Sequence, residues 1–246
     1  MIIDELKFAE ARAAALVADR ENDKVGTLSE KLVHRVIKHY IQPDATKHEQ
    51  KMCGKIVDVI NDGEIYEIQT RGFEKLVPKL DSLLREHSVT VVYPVIKEKN
   101  LIWIDPETGE ASVPKRVSKK GKISDVLPEL SKIDRFVGHE NFKLIIMLLC
   151  ADEFRYLDGY GKDKKLRATK INVIPNSIVE VVEITSRDDC KMLLSAVLPD
   201  VFSSKQLFKS LGMQGRKASF ALAVMKRLGL CEVLSKEGNS YIYQKK

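Results

Sequence analysis

Residues 55–70, KIVDVINDGEIYEIQT, decide how the N-terminal half is read. Two runs rich in β-branched residues, 55–60 and 64–70, flank Asn61-Asp62-Gly63, a strong hairpin signal. Side chains alternate across a strand, so Glu67 and Gln69, two apart, point to the same face. Ile65 and Ile68 place these polar groups beside a core rather than on an open surface. The turn folds the second strand back on the first and brings Asp58 close to Glu67. Two carboxylates meeting on a half-buried sheet face repel each other and lose hydration. A divalent cation offsets both penalties. Mg²⁺ commonly takes one or two carboxylates and keeps several waters, and it can then polarise a phosphodiester and generate hydroxide from a bound water.

Upstream of the hairpin, residues 5–19 read as an amphipathic, Ala-rich helix. A second helix opens at Thr27, with Leu28, Leu32, Val33, Val36, Ile37 and Tyr40 on its apolar face and Pro43 just beyond its end. Residues 46–52 read as a further extended segment. Downstream, 73–86 read as a helix whose Pro78 marks its first turn or a kink. Strands follow at 88–96 and 100–105, then a loop from 106 to 121 with basic residues at 115–116 and 119–120. The pattern continues with a short helix (123–134), a strand (142–150), a charged Gly-containing stretch (153–170), a strand (178–185) and a helix from Ser186 to about Leu198.

This arrangement resembles the PD-(D/E)XK nucleases, whose motif is an Asp, a hairpin spacer and (Asp/Glu)-x-Lys on the next strand. The matching residues are Asp58 and Glu67-Ile68-Gln69, with Glu30 on the preceding helix, and the likeness covers roughly residues 25–105. It implies an α/β fold with a restriction-endonuclease-like mixed sheet flanked by helices. It also implies a metal-dependent deoxyribonuclease that uses Glu30, Asp58, Glu67 and Gln69, with Asp58 and Glu67 holding Mg²⁺ or Mn²⁺. Two positions depart from the pattern: Gln69 stands where Lys is usual, and Val57 precedes Asp58 in place of Pro. Gln keeps hydrogen bonding but loses the charge; some restriction enzymes of the superfamily carry Gln there, and Arg71 and Lys75 lie just downstream. Glu30 has a second role open to it, because Thr27-Leu28-Ser29-Glu30 is a capping box. His48 reads as a phosphate or water contact or, more simply, as a surface histidine.

The last part of the chain changes character. Residues 203–246 hold nine Lys and Arg against Glu232 and Glu237, a net of +7 in a chain whose formal total is +6. Ser203-Ser204 opens a short helix closed by Gly212, and a brief turn leads to a longer helix ended by Gly229. Strands at 230–234 and 240–244 flank a hairpin tip at 236–239. This order resembles a winged-helix domain over residues 201–246, set apart from an N-terminal domain over 1–200. The resemblance implies DNA contacts from Gln214, Arg216, Lys217 and Ser219 at the start of the second helix, and from Lys236 on the wing.

The 246 residues allow a medium and a small domain, and 44% apolar content supports a sizeable core. Cys53, Cys150, Cys190 and Cys231 form no Cys-x-x-Cys pair, which argues against a zinc or disulfide framework and fits a reducing cytoplasm. No run approaches the roughly 18 apolar residues of a membrane span, and the N-terminal stretch lacks a signal pattern. Three functions follow for test. The first is a DNA endonuclease guided by the winged helix, for which a homodimer would suit double-strand cutting. The second is a catalytically inactive nuclease-like DNA-binding regulator. The third is a winged-helix protein-interaction factor.

Overall fold

The computed structural model describes residues 2–21, 28–117, 120–158, 168–194, 198–238 and 240–246. Helix α1 (Glu5–Glu21) packs on α2 (Leu28–Ile41), whose Leu32, Val33, Val36, Ile37, Tyr40 and Ile41 are all buried. Tyr40 meets Phe8 of α1 edge to face, with ring centroids 5.5 Å apart, and its hydroxyl accepts from the Asp4 N–H. The apolar face read from the sequence is therefore the buried one at every position whose side chain is described.

Strands β1 (His48–Met52), β2 (Lys55–Asn61), β3 (Glu64–Ile68), β4 (Val89–Ile104), β5 (Lys115–Arg116), β6 (Phe142–Tyr156) and β7 (Thr169–Ile184) form one mixed sheet flanked by helices. Its order is β1-β2-β3-β4-β6-β7, with β5 paired to β4. The β2–β3 hairpin closes on Asn61↔Glu64, and Asp62 and Gly63 both take positive φ, 49° and 81°. A type I′ turn needs that conformation at both central residues, so the Asp-Gly pair fixes the register.

Three strands are longer than their sequence pattern suggests. The polar residues 97–99, which read as a break, continue β4. Lys97 pairs with Glu180 at 3.3 Å, Lys99 with Glu153 at 2.6 Å, and Asn100 donates to Asp152 at 2.9 Å. Cross-strand charge pairs of this kind let a charged segment stay in a ladder. Between β3 and β4, a 3-10 turn (Phe73–Lys75) precedes α3 (Val77–Leu83), and Pro78 sits in the first turn of α3, where its missing N–H costs nothing. The expected helix at 123–134 is a 3-10 turn (Ile123–Val126) followed by the short α4 (Leu127–Leu130). The one expected after Ser186 is a 3-10 turn over Asp189–Leu193.

The C-terminal segment runs β8 (Val201–Ser203), α5 (Ser204–Leu211), α6 (Gly215–Arg227), β9 (Cys231–Glu237) and β10 (Ser240–Lys245). Ser203 and Gln206 form a capping box on α5, and Gly212 closes it with φ 68°. The three strands make a separate sheet in the order β8-β10-β9.

Two compact units result. The first comprises Met1–Thr70, Val92–Lys122 and Met147–Val181; the second comprises Arg71–Val91, Ile123–Ile146 and Val182–Lys246. The division is not the single one expected at 200/201. The C-terminal segment shares its unit with 71–91 and 123–146 because α6 packs on α4. Arg227 of α6 donates to the Ser131 carbonyl at 3.0 Å and pairs with Asp134.

Candidate active site on the β1–β3 face

The hairpin register pairs Val59 with Tyr66, so its next step sets Asp58 opposite Glu67 on the same face. In a continued ladder the Ile68 N–H would meet the Val57 carbonyl. It donates instead to Asp58 Oδ2 at 2.8 Å. The Asp58 side chain therefore occupies the point where β3 leaves β2, and the Gln69 N–H bonds to the Val92 carbonyl of β4 at 2.9 Å. On the other side of β2, the pairs His48↔Val59 and Gln50↔Val57 bracket Glu49 opposite Asp58. The register thus sets Glu49, Asp58 and Glu67 at one level of three adjacent strands. Glu67 is 3% exposed, which makes a charge there costly unless it is matched.

Helix α2 supplies cationic and polar partners to this row. His34 Nε2 lies 3.1 Å from Asp58 Oδ2. Lys38, only 6% exposed, donates to Glu49 Oε1 at 2.9 Å and stands 3.9 Å from Asp58 Oδ1. Burial raises the Asp58 pKa, but the His34 bond and charge, the Ile68 N–H and Lys38 together outweigh it and hold the carboxyl below its ordinary value. Hydrogen bonding to Lys38 is the main reason that Glu49 is lowered. Both are therefore carboxylates at neutral pH. Oδ2 of Asp58 is taken up by His34 and Ile68, whereas Oδ1 faces the Lys38 ammonium at 3.9 Å, an ion pair longer than a hydrogen bond.

The hairpin register sets Asp58 across from Glu67, and Gln69 directly follows the end of β3. Glu30 is in α2, four residues before His34, but its side chain lies outside the described residues, as does Thr27 of its capping box. His48 Nε2 bonds to the Gln42 carbonyl at 2.7 Å, a structural role. His34, Lys38 and Glu49 were missed. The i, i+4 spacing of His34 and Lys38 was a usable signal, since it sets them on one helical stripe; nothing in the sequence shows that the stripe faces β2.

In the second unit, Gln214, Arg216, Lys217 and Ser219 at the start of α6 are all exposed. Ser219 Oγ bonds back to the Gly215 carbonyl at 3.4 Å, as is common for serine in a helix. Lys236 is within β9 rather than at the hairpin tip, with its ammonium 5.7 Å from the Tyr241 ring centroid. Asn239 of the tip lies outside the described residues.

A family model described as "Domain of unknown function (DUF8091)" matches residues 31–185, more than half of the chain. The chain belongs to this family. The DUF8091 span holds His34, Lys38, Glu49, Asp58, Glu67 and Gln69 and stops before β8, so α5, α6 and the three-stranded sheet lie beyond it. A protein of Treponema pallidum (strain Nichols), described as uncharacterized, is 27% identical over 225 residues, covering 90% of this chain and 87% of that one. No solved structure matches.

Proposed function

We propose that the protein is a metal-dependent DNA endonuclease of the PD-(D/E)XK type. The observation that carries the reading is the row Glu49–Asp58–Glu67 with Lys38 and His34 directed at it. The donor set fits Mg²⁺ or Mn²⁺: hard carboxylate oxygens, one of them deeply buried, with the Gln69 amide two residues on from Glu67. Asp58 and Glu67 would hold the ion, which when bound would polarise the phosphoryl oxygen and acidify a water.

The chain's own groups supply the rest. His34 and the Ile68 N–H fix the Asp58 carboxylate in place. Gln69 offers a donor and an acceptor to the attacking water and the phosphate. Lys38 supplies the positive charge that the Glu-x-Gln motif lacks, a role the sequence had offered to Arg71 or Lys75.

On the same reading the C-terminal segment is a winged helix. Helix–turn–helix followed by a hairpin, with β10 between β8 and β9, supports this. Its +7 charge and the exposed Gln214, Arg216, Lys217 and Ser219 support DNA as the partner.

Incubation with supercoiled plasmid tests the activity. Nicked or linear product should form with Mg²⁺ or Mn²⁺ and not with EDTA. Intact plasmid under all these conditions, with DNA still bound, would favour the second reading that Gln69 keeps open, an inactive DNA-binding regulator.

A further inference from the structure

A recess of about 460 Å³ opens in the second unit where the 71–75 segment, α4 and α6 meet. Arg71, Lys75, Lys132 and Lys217 line it, with Phe220 as an aromatic wall and Glu129 and Glu74 as acids. The walls are fixed in advance. Glu129 Oε2 accepts from the Gly72 N–H at 2.8 Å and the Phe73 N–H at 3.1 Å, which ties the 71–75 segment to α4. Those bonds also engage the Glu129 charge, so the recess presents an excess of cations. Arg227 ties α6 to the Ser131 carbonyl. Phe220 is 41% exposed, with Lys132 Nζ 4.6 Å from its ring centroid.

Phe220 thus offers a half-open aromatic face beside lysines. Cations that track phosphates beside an aromatic face on which a base stacks are the general means of holding a single nucleic-acid strand. The geometry points to this recess as a site for one nucleotide of an unpaired DNA strand, its phosphate on Lys75, Lys132 and Lys217 and its base on Phe220. The inference rests on the reading of the second unit as a nucleic-acid binder. It goes further in assigning Lys217 to a composite recess rather than to the groove-facing start of α6. A nuclease so equipped would prefer DNA with a frayed, flapped or gapped region.

The test is fluorescence anisotropy of the full chain with labelled oligo(dT) and with a blunt duplex. Phe220→Ala and Lys132→Ala should each weaken oligo(dT) binding about tenfold, the loss of one stacked base or charge contact, and leave duplex binding nearly unchanged. Arg216→Ala should do the reverse. In Phe220→Trp, oligo(dT) should quench indole emission beyond any change seen in the wild type, whose one tryptophan is Trp103, which reports stacking directly. Loss of duplex binding in Arg216→Ala, with oligo(dT) binding unaffected by Phe220→Ala and Lys132→Ala and no quenching in Phe220→Trp, overturns the inference but leaves the winged-helix reading standing. If the wild type binds neither oligonucleotide, both fall. Binding of an acidic polypeptide or anionic vesicles in place of oligo(dT), with the same loss in Phe220→Ala, would reassign the recess to that class and also overturn the inference.

Discussion

Asp58 carries two separable roles, and substitution divides them. Its carboxylate holds the Ile68 N–H where β3 leaves β2, and it forms the centre of the carboxylate row. Asp58→Asn removes the charge but keeps an oxygen for the Ile68 N–H; Asp58→Ala removes both. The charge terms, attraction to His34 and Lys38 against repulsion from Glu49, are lost equally in the two variants. Their difference therefore reports the oxygen lost to the Ile68 N–H and to His34, worth about 1–3 kcal/mol. Asp58→Ala should be less stable than Asp58→Asn by about 2 kcal/mol, or roughly 4–8 °C in Tm for a chain of this size. Urea denaturation in EDTA followed by circular dichroism measures it. Adding Mn²⁺ should raise the wild-type unfolding free energy, by about 2.7 kcal/mol at a hundred times Kd, and leave both variants unmoved. Equal stability of Asn and Ala variants would refute the account of the strand fork, and equal Mn²⁺ stabilisation of wild type and Asp58→Asn would refute the account of the metal site.

Glu153, 2% exposed, is held by Lys99 at 2.6 Å and by Arg155, so Glu153→Gln should cost about 1–3 kcal/mol by removing the carboxylate from these partly exposed cations. Burial pushes the Glu153 pKa up, but the bonds from Lys99 and Arg155 outweigh this and lower it. Its stabilisation is therefore present above the unfolded carboxyl value of about 4.3 and is lost as pH falls through the lower folded value. The acid limb of a Tm–pH curve should be shallower in Glu153→Gln. Gly121→Ala would place a Cβ 2.5 Å from the Ile96 carbonyl oxygen and 2.6 Å from Val95 Cγ1, and should lower stability by about 1–3 kcal/mol in the same denaturation assay. Gln69→Ala should slow cleavage at least about tenfold, 1.4 kcal/mol of barrier, with DNA affinity unchanged by anisotropy.

What the sequence disclosed was local. Asp62-Gly63 dictates a hairpin by φ alone, the apolar stripe of α2 fixes its buried face, and Ser203, Gln206 and Gly212 delimit α5. What it hid was tertiary. The charged run 97–99 looks like a turn until Glu153 and Glu180 of other strands are brought beside it. The three-residue β8 is too short to show a period, yet β10 pairs with it through Ile242↔Ser203. Half of the candidate site was legible for the same reason. Asp58, Glu67 and Gln69 belong to one hairpin, whereas His34, Lys38 and Glu49 reach Asp58 only through the packing of α2 and the register of β1. Lys217, which the helix pattern assigned to a groove-facing helix start, lines a recess whose other walls come from residues some 85 and 140 positions earlier in the chain.

In the proposed reading, Asp58 and Glu67 hold a metal that serves DNA cleavage. The single-turnover cleavage rate of duplex DNA in Mg²⁺, compared for wild type, Asp58→Asn and Glu67→Gln at matched DNA occupancy and verified folding, tests it most directly. The wild type should cleave in a metal-dependent way, and each variant should lose at least about a thousandfold, roughly 4 kcal/mol of barrier. Cleavage by Asp58→Asn and Glu67→Gln at the wild-type rate would contradict it.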